Sequence, residues 1–495
     1  MADTRQTSTS VLTGRLGVAA AVSAIAAVLY GYDTGIISGA LLQIKDEFNI
    51  GSTWQQLIAA SILLGAIIGA LVCSRVSEAR GRRGTILVIA VIFVLGATAS
   101  AIAPDKWTLS LSRILLGFAV GGGTQVVPMY VAELAPAAVR GRLVLTFQVG
   151  IGVGIVLSTI VGATEALDWR VAIGIAAVPA TAMFLLMLRL PESPRWLVKN
   201  DDPDEAREVL TGLRPDGDNV DSEVQEIIDV EKEEREASTS GWDGLRKAWV
   251  RPALIVGCGI AVFTQLSGIE MIVYYAPTIL TNNGFSASAA LRVSVGLGVT
   301  YLVMMIVGLS IVDRVGRRRL TMIMVPGAAL SLIALGAIFI FGLDGRSTTG
   351  LIIACLIVFM FFNAGGLQLM GWLTGSEIYP LAVRSAGTAA QSATLWSTNL
   401  LITLTLLTMI NGIGVGETFW VYAAFNIAAL LFVYLRMPEF TGRSLEQIEA
   451  SLQKGQFRPK DFERRTATGA QEGAPTRRTH AGTPATVRMN MADRQ

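Results

Sequence analysis

Glu133-Leu134-Ala135-Pro136-Ala137-Ala138-Val139-Arg140 closes one long apolar run, and Glu377-Ile378-Tyr379-Pro380-Leu381-Ala382-Val383-Arg384 closes another. The shared spacing, E-x-x-P-x-x-x-R, returns after 244 residues (133 to 377). Two further motif pairs keep the same order. Arg80-Gly81-Arg82-Arg83 is echoed by Asp313-Arg314-Val315-Gly316-Arg317-Arg318, and Pro191-Glu192-Ser193 by Pro438-Glu439-Phe440 at an offset of 247 (191 to 438). Three motifs in one order at a nearly constant offset imply a duplication. The chain is two halves with matching polar punctuation between apolar runs.

The composition says where those runs reside. Of 495 residues only 16% are charged and 52% are hydrophobic, whereas soluble domains carry about 25% charge. With a mean hydropathy of +0.54, a set of soluble domains, a disordered chain and a collagen-like repeat are all excluded. Cys73, Cys258 and Cys355 lie inside apolar runs, too few and too buried for a disulfide framework. A helix needs about 20 apolar residues to cross a ~30 Å hydrocarbon core. Twelve stretches qualify: 16–42, 54–74, 84–103, 107–132, 143–164, 170–190, 253–281, 290–312, 320–342, 349–375, 386–410 and 416–437. The first follows a polar, Ser/Thr-rich start and precedes eleven more, so it reads as a span rather than a cleaved leader.

Basic residues orient the spans. Arg75, Arg80, Arg82 and Arg83 follow span two; Arg140 and Arg142 follow span four; Arg314, Arg317, Arg318 and Arg319 follow span eight; Arg384 follows span ten. The intervening loops hold only Lys45, Lys106, Arg170, Arg292 and Arg346. Even-numbered spans therefore end in the cytoplasm and both termini lie inside, in the plasma membrane of the cell. The expected fold is an all-α polytopic membrane protein, twelve transmembrane helices in two six-helix halves. Its parts are an N-terminus (1–15), a first half (16–190), a cytoplasmic linker with short helices (191–250), a second half (251–437) and a tail (438–495). The linker has an acidic helical pattern from Asp216 to Ala237; the tail begins helical (Ser444 to Lys454) and then has a disordered composition. The single histidine, His480, sits in that tail. No histidine metal site or catalytic triad is therefore possible in the membrane, and neither enzymatic activity nor a nucleic-acid partner is expected.

Parallel halves about a central site are the architecture of a rocking transporter. The recurring charges at its inner face, Arg82, Arg83, Glu133 and Arg140 in one half and Arg317, Arg318, Glu377 and Arg384 in the other, read as salt bridges that latch the halves together and break on switching. The plainer alternative is that the arginines only set topology.

These motifs resemble the sugar porter family of the major facilitator superfamily, across all twelve spans. The most specific piece is Pro191-Glu192-Ser193-Pro194-Arg195-Trp196-Leu197 after span six. Gly31-Tyr32-Asp33-Thr34-Gly35, Val127-Pro128-Met129-Tyr130-Val131-Ala132-Glu133, Gln265-Leu266-Ser267-Gly268-Ile269, Tyr274-Tyr275, Pro438-Glu439 and Gly442-Arg443-Ser444-Leu445-Glu446 add to it. The resemblance implies a midplane sugar site and alternating access, driven by a proton gradient or running downhill, in a monomer that needs no cofactor.

Asp33 lies inside the first apolar run and Arg113 inside the fourth. Ionisable residues at that depth are functional by default. In the proton-coupled members that this chain resembles, the matching acid titrates and the matching arginine pairs with it. Burial favours the neutral acid, the guanidinium favours the carboxylate, and opening to either side changes the balance. A fixed structural ion pair is the alternative. By the same resemblance, Gln148, Gln265, Glu270, Tyr274, Trp372, Trp396 and Asn399 form the sugar site, where amides serve hydroxyls and aromatic faces serve the C–H side of the ring.

Gln265 and Glu270 are five residues apart, about 140° around a regular helix, so Ser267-Gly268 is the expected point of distortion. Several positions depart from the family. Glu270 replaces a usual Asn; as a neutral acid it could serve a hydroxyl as Asn does, or it is a second protonation site or a selector of an amine-bearing substrate. Thr264 replaces the first Gln of a pair, Tyr301 an Asn, and Glu78-Ala79-Arg80 the usual Asp-Arg-x. Span ten lacks prolines before its tryptophan, which brings in Asn363 and Gln368. The expected function is proton symport of a monosaccharide or a polyol such as inositol. A passive uniporter, a carrier for an organic acid or drug, and a non-transporting sensor are the alternatives.

Overall fold

The computed structural model describes residues 14–462, apart from 165–166, 216–217, 237–240, 343–345 and 444. The first thirteen residues and the tail beyond 462, with His480, lie outside the described residues. The described chain is helical throughout, without strands. Eleven helices are long and apolar enough to cross a membrane. Span five, Ala137–Gly162, is the twelfth, and Thr146–Gly162 within it is apolar.

The first half comprises Gly14–Glu47, Ser52–Arg80, Arg82–Ala101, Lys106–Leu134, Ala137–Gly162 and Trp169–Met187; the second comprises Arg251–Asn282, Ala287–Val315, Arg317–Ile340, Arg346–Ile378, Arg384–Ile413 and Val415–Arg436. Spans one and five, two and four, and nine and twelve pack along their lengths. Span two against eleven and span five against eight join the halves. Water gives no help in pairing helices within lipid, so such contacts depend on close packing.

Three spans are broken. Span six interrupts between Trp169–Gly174 and Ala177–Met187. Span seven stops at Leu266 and restarts at Ile269, at the expected place; Gly268 takes φ = 96°, a left-handed conformation that glycine adopts freely. Span ten stops at Ala364 and restarts at Leu367, across Gly365-Gly366. Spans seven and ten are the second-half spans that carry most of the sequence-expected site residues.

The linker forms helices Pro194–Lys199, Pro203–Leu213, Val220–Glu236 and Gly241–Gly244, and Leu445–Gln453 follows span twelve. The linker grips the first half. Trp196 Nε1 donates to the Glu78 carbonyl at 2.9 Å, and Arg214 donates to the Leu134 carbonyl at 2.9 Å while pairing with Glu223 at 2.6 Å. The three cysteines are unpaired.

Candidate functional site

At the linker end each half builds the same cluster. In the first, Arg82 pairs with Glu133 at 3.0 Å; in the second, Arg317 pairs with Glu377 at 2.7 Å. The Glu192 carboxylate accepts the backbone N–H of Arg82 (2.8 Å) and Arg83 (3.1 Å), and Glu439 accepts those of Arg317 (2.8 Å) and Arg318 (3.1 Å). Each acid thereby fills orphan donors at a helix start and meets its positive dipole end. Gly81 (φ = 92°) and Gly316 (φ = 97°) make the turns, and a Cβ on either would fall 2.3–2.4 Å from the capping carboxylate. Even the second arginines match: Arg83 donates to the Leu188 carbonyl and Arg318 to that of Tyr434, each at 3.1 Å.

This geometry corrects the expected latch. Arg82, Arg83 and Glu133 bind within the first half, and Arg317, Arg318 and Glu377 within the second, because each arginine follows its half's second span and its acid ends that half's fourth. Matched spacing reported a repeated local structure, not partners facing across the interface. Arg384 donates to the Tyr379 carbonyl at 3.3 Å; the Arg140 side chain lies outside the described residues. The halves meet through other groups. At the linker end Glu78 accepts from Ser385, and Gln125 accepts from Ser392 (3.1 Å) and donates to Thr388 (3.3 Å). At the opposite end Gln56 donates to Thr408 (3.1 Å) and accepts the Leu407 N–H (3.0 Å), and Asn411 donates to Ser52 (3.2 Å). Hydrogen bonds thus join the halves at both ends, and among these described residues all but Glu78 use neutral groups.

Asp33 and Arg113 come together. Their nearest atoms are 3.8 Å apart and both side chains are buried. That separation allows charge attraction but is too long for a hydrogen bond. Arg113 instead donates through Nε to the Ile58 carbonyl of span two at 3.1 Å. The guanidinium is anchored independently of the acid, so the pair can loosen without casting Arg113 adrift.

Between the ends, spans one, seven, ten and eleven converge. Tyr30, Trp372 and Trp396 pack edge to face, with centroids 5.4 Å apart for Tyr30–Trp396 and 6.4 Å for the other two pairs. Gln265, Glu270, Tyr274 and Asn399 are buried with them. Gln265 Oε1, Glu270 Oε2, Trp396 Nε1, Asn399 Nδ2, Gln368 Oε1 and both Asn363 amide atoms are buried without a hydrogen-bond partner. Such atoms are costly unless something satisfies them, and together they offer donors and acceptors around an aromatic wall. Thr34, beside Asp33, donates to the Tyr30 carbonyl at 2.9 Å, and Tyr274 lies within electrostatic reach of both Asp33 and Glu270. Gln148 is buried in span five, and among the described residues no hydrogen bond joins it to this set.

Sequence reasoning missed Tyr30, the capping acids Glu192 and Glu439, and the interface amides Gln56 and Gln125. A tyrosine within an apolar run reads as packing, and a lone Gln in a span does not declare its partner. Glu192 and Glu439 did carry a signal, since both follow a proline in the repeated motif, 247 residues apart (192 to 439).

Two duplicated helical halves around a buried polar centre define a membrane carrier, not an enzyme. The family described as "Sugar (and other) transporter" matches residues 19–452. A D-xylose transporter of Levilactobacillus brevis is 38% identical over 435 residues, 87% of this chain and 94% of that protein. The galactose-proton symporter of Escherichia coli K12 is 34% identical over 440 residues, 88% and 94% respectively. The partially occluded, inward-open structure of the xylose transporter XylE from E. coli superposes with a TM-score of 0.75 at 26% identity, covering 87% of this chain and 99% of that one. The chain belongs to the sugar porter family of the major facilitator superfamily, as a multi-pass transporter.

Proposed function

We propose that this protein takes up a monosaccharide or a related polyol by proton symport, through alternating access. The observation that carries the reading is the buried, unbonded ion pair of Asp33 and Arg113 at 3.8 Å, with Tyr274 within electrostatic reach both of that pair and of the unsatisfied Glu270. A charge pair in low dielectric holds the two spans strongly. Protonation of Asp33 removes the attraction, leaves Arg113 on the Ile58 carbonyl, and lets the loaded carrier change shape. A polyhydroxylated solute satisfies Gln265, Asn399 and Trp396 Nε1 while its C–H face lies on the aromatic wall, so binding stabilises the closed form. The linker end is the cytoplasmic side, both termini lie inside the plasma membrane, and the protein works as a monomer in the bilayer with the proton gradient as its only driving partner.

Asp33→Asn tests the coupling. In proteoliposomes it abolishes uphill accumulation and spares exchange of labelled sugar; unchanged accumulation would leave passive uniport as the better reading. The departures around Glu270 favour a carrier for another solute as the second reading. An unpaired carboxylate at the centre disfavours an organic anion in particular. Tryptophan quenching of purified protein by hexoses, pentoses and polyols separates the two, because Trp372 and Trp396 wall the site; silence across all three classes would favour the other solute.

A further inference from the structure

The duplication that relates the clusters at the linker end also relates two acids. Gly31-Tyr32-Asp33 in span one and Gly268-Ile269-Glu270 in span seven lie 237 residues apart (33 to 270), against 235 for Gly81 and Gly316. Glu270 therefore occupies the second half's counterpart of Asp33. It differs in one respect. The counterparts of Arg113 at offsets of 237 to 244 are residues 350–357, Gly-Leu-Ile-Ile-Ala-Cys-Leu-Ile, and among the described residues no cation pairs with Glu270. The groups within electrostatic reach of it are phenols, Tyr30 from span one, Tyr301 from span eight and Tyr274 from its own helix, the last also in reach of Asp33 and Arg113. Among the described residues, spans ten and eleven put no acid or base beside it.

A polar ladder leads to it from the end opposite the linker. Glu270, Tyr274, Thr278 and Asn282 follow one another at i, i+4 along Ile269–Asn282, so each neighbours the next. That spacing puts Thr278 one turn from Tyr274 and Tyr274 one turn from Glu270, with Thr278 toward the cavity end. Thr278 and Asn282 line a cavity of about 170 Å³ with Ser52, Gln55 and Asn411, large and polar enough for several waters. Thr278 Oγ1 is itself buried without a partner.

We propose that Glu270 is a second proton-carrying group of this transporter, reached from the outer cavity through Thr278 and Tyr274. One proton enters from cavity water, each hydroxyl accepts a proton and passes on its own, and the carboxylate becomes a neutral acid able to donate to a substrate hydroxyl. A buried carboxylate lacking a cation discards its charge in this way rather than bear it. The consequence for transport rests on the sugar-symport reading; the titration of Glu270 does not.

Infrared difference spectroscopy of purified protein over a series of pH values tests the site directly. Two titrating buried-carboxyl bands are expected, one lost in D33N and the other in E270Q. A single band, insensitive to E270Q, would overturn the proposal even if no sugar is transported. Flux then reads the ratio. At zero membrane potential, a one-unit pH difference should poise a sugar gradient of about 100-fold in the wild type and about tenfold in E270Q. A tenfold gradient in the wild type would overturn a second coupled proton, whereas absence of any sugar movement would sink the transport reading while the infrared bands still decide Glu270.

Discussion

The two halves agree at the linker end and part company at the centre. At the linker end Arg82–Glu133, Glu192 and Gly81 have counterparts in Arg317–Glu377, Glu439 and Gly316, down to matching hydrogen-bond lengths of 2.8 and 3.1 Å to the capped N–H groups. At the centre the first half contributes a buried ion pair, Asp33–Arg113, while the second contributes an unpaired acid, unsatisfied amides and two tryptophans. The duplicated charges are largely buried and tie helix ends together, a task both halves share. The unmatched groups sit where solute and proton must be handled, and there the two halves carry different side chains. Symmetry persists where the demand is mechanical and is lost where it is chemical.

The sharpest way to break that comparison is at its least symmetric point. Arg113→Leu leaves Asp33 buried without its countercharge, and removing one partner of a buried pair costs about 3–5 kcal/mol. Transport should stop and denaturant unfolding in detergent should shift accordingly. Adding D33N to R113L should restore much of the stability but not accumulation, because the stranded charge is then gone. If the double variant is no more stable than R113L alone, the two residues are not coupled and the centre holds no special pair.

The symmetric end invites the opposite test. Gly81→Ala and Gly316→Ala each force an L-residue to φ above +90° and push a Cβ onto a capping carboxylate; backbone strain of this kind costs about 1–3 kcal/mol. Thermal unfolding should show losses of similar size for the two variants, and sugar affinity in the folded fraction should stay put. A large loss in one half alone would show that the matching clusters do unequal work.

How much of this was legible beforehand follows the same division. Apolar length and loop charge displayed the spans, and the repeated E-x-x-P-x-x-x-R displayed the halves, because both depend on residue type and spacing. The same spacing could not say that Arg82 meets Glu133 of its own half, since a one-dimensional repeat is silent about which copy a side chain faces. Ser267-Gly268 announced the break in span seven because two site residues could not otherwise share a face; Gly365-Gly366 lacked such a constraint and passed unnoticed. Asp33 and Arg113 stood out as charges in hydrocarbon. Tyr30 did not, as its role arises only when spans one, ten and eleven meet.

The smallest expected effect is also the most selective. Asn399 is buried in span eleven; its Oδ1 accepts from the Thr403 hydroxyl at 3.2 Å, while its Nδ2 has no partner. Truncation to Ala removes a donor that the empty protein leaves idle, so folding loses little there and the Thr403 bond is the main stability term. A bound hydroxyl, in contrast, loses its donor in a desolvated centre, a difference of about 1–1.5 kcal/mol, or roughly tenfold in Kd. Titration of sugar binding by tryptophan fluorescence, beside a melting curve on the same preparation, separates the two. An affinity loss without a matching loss of stability assigns Nδ2 to the solute. Equal changes in both would make Asn399 a packing residue, and the asymmetry of the centre would then rest on Gln265, Trp396 and Glu270.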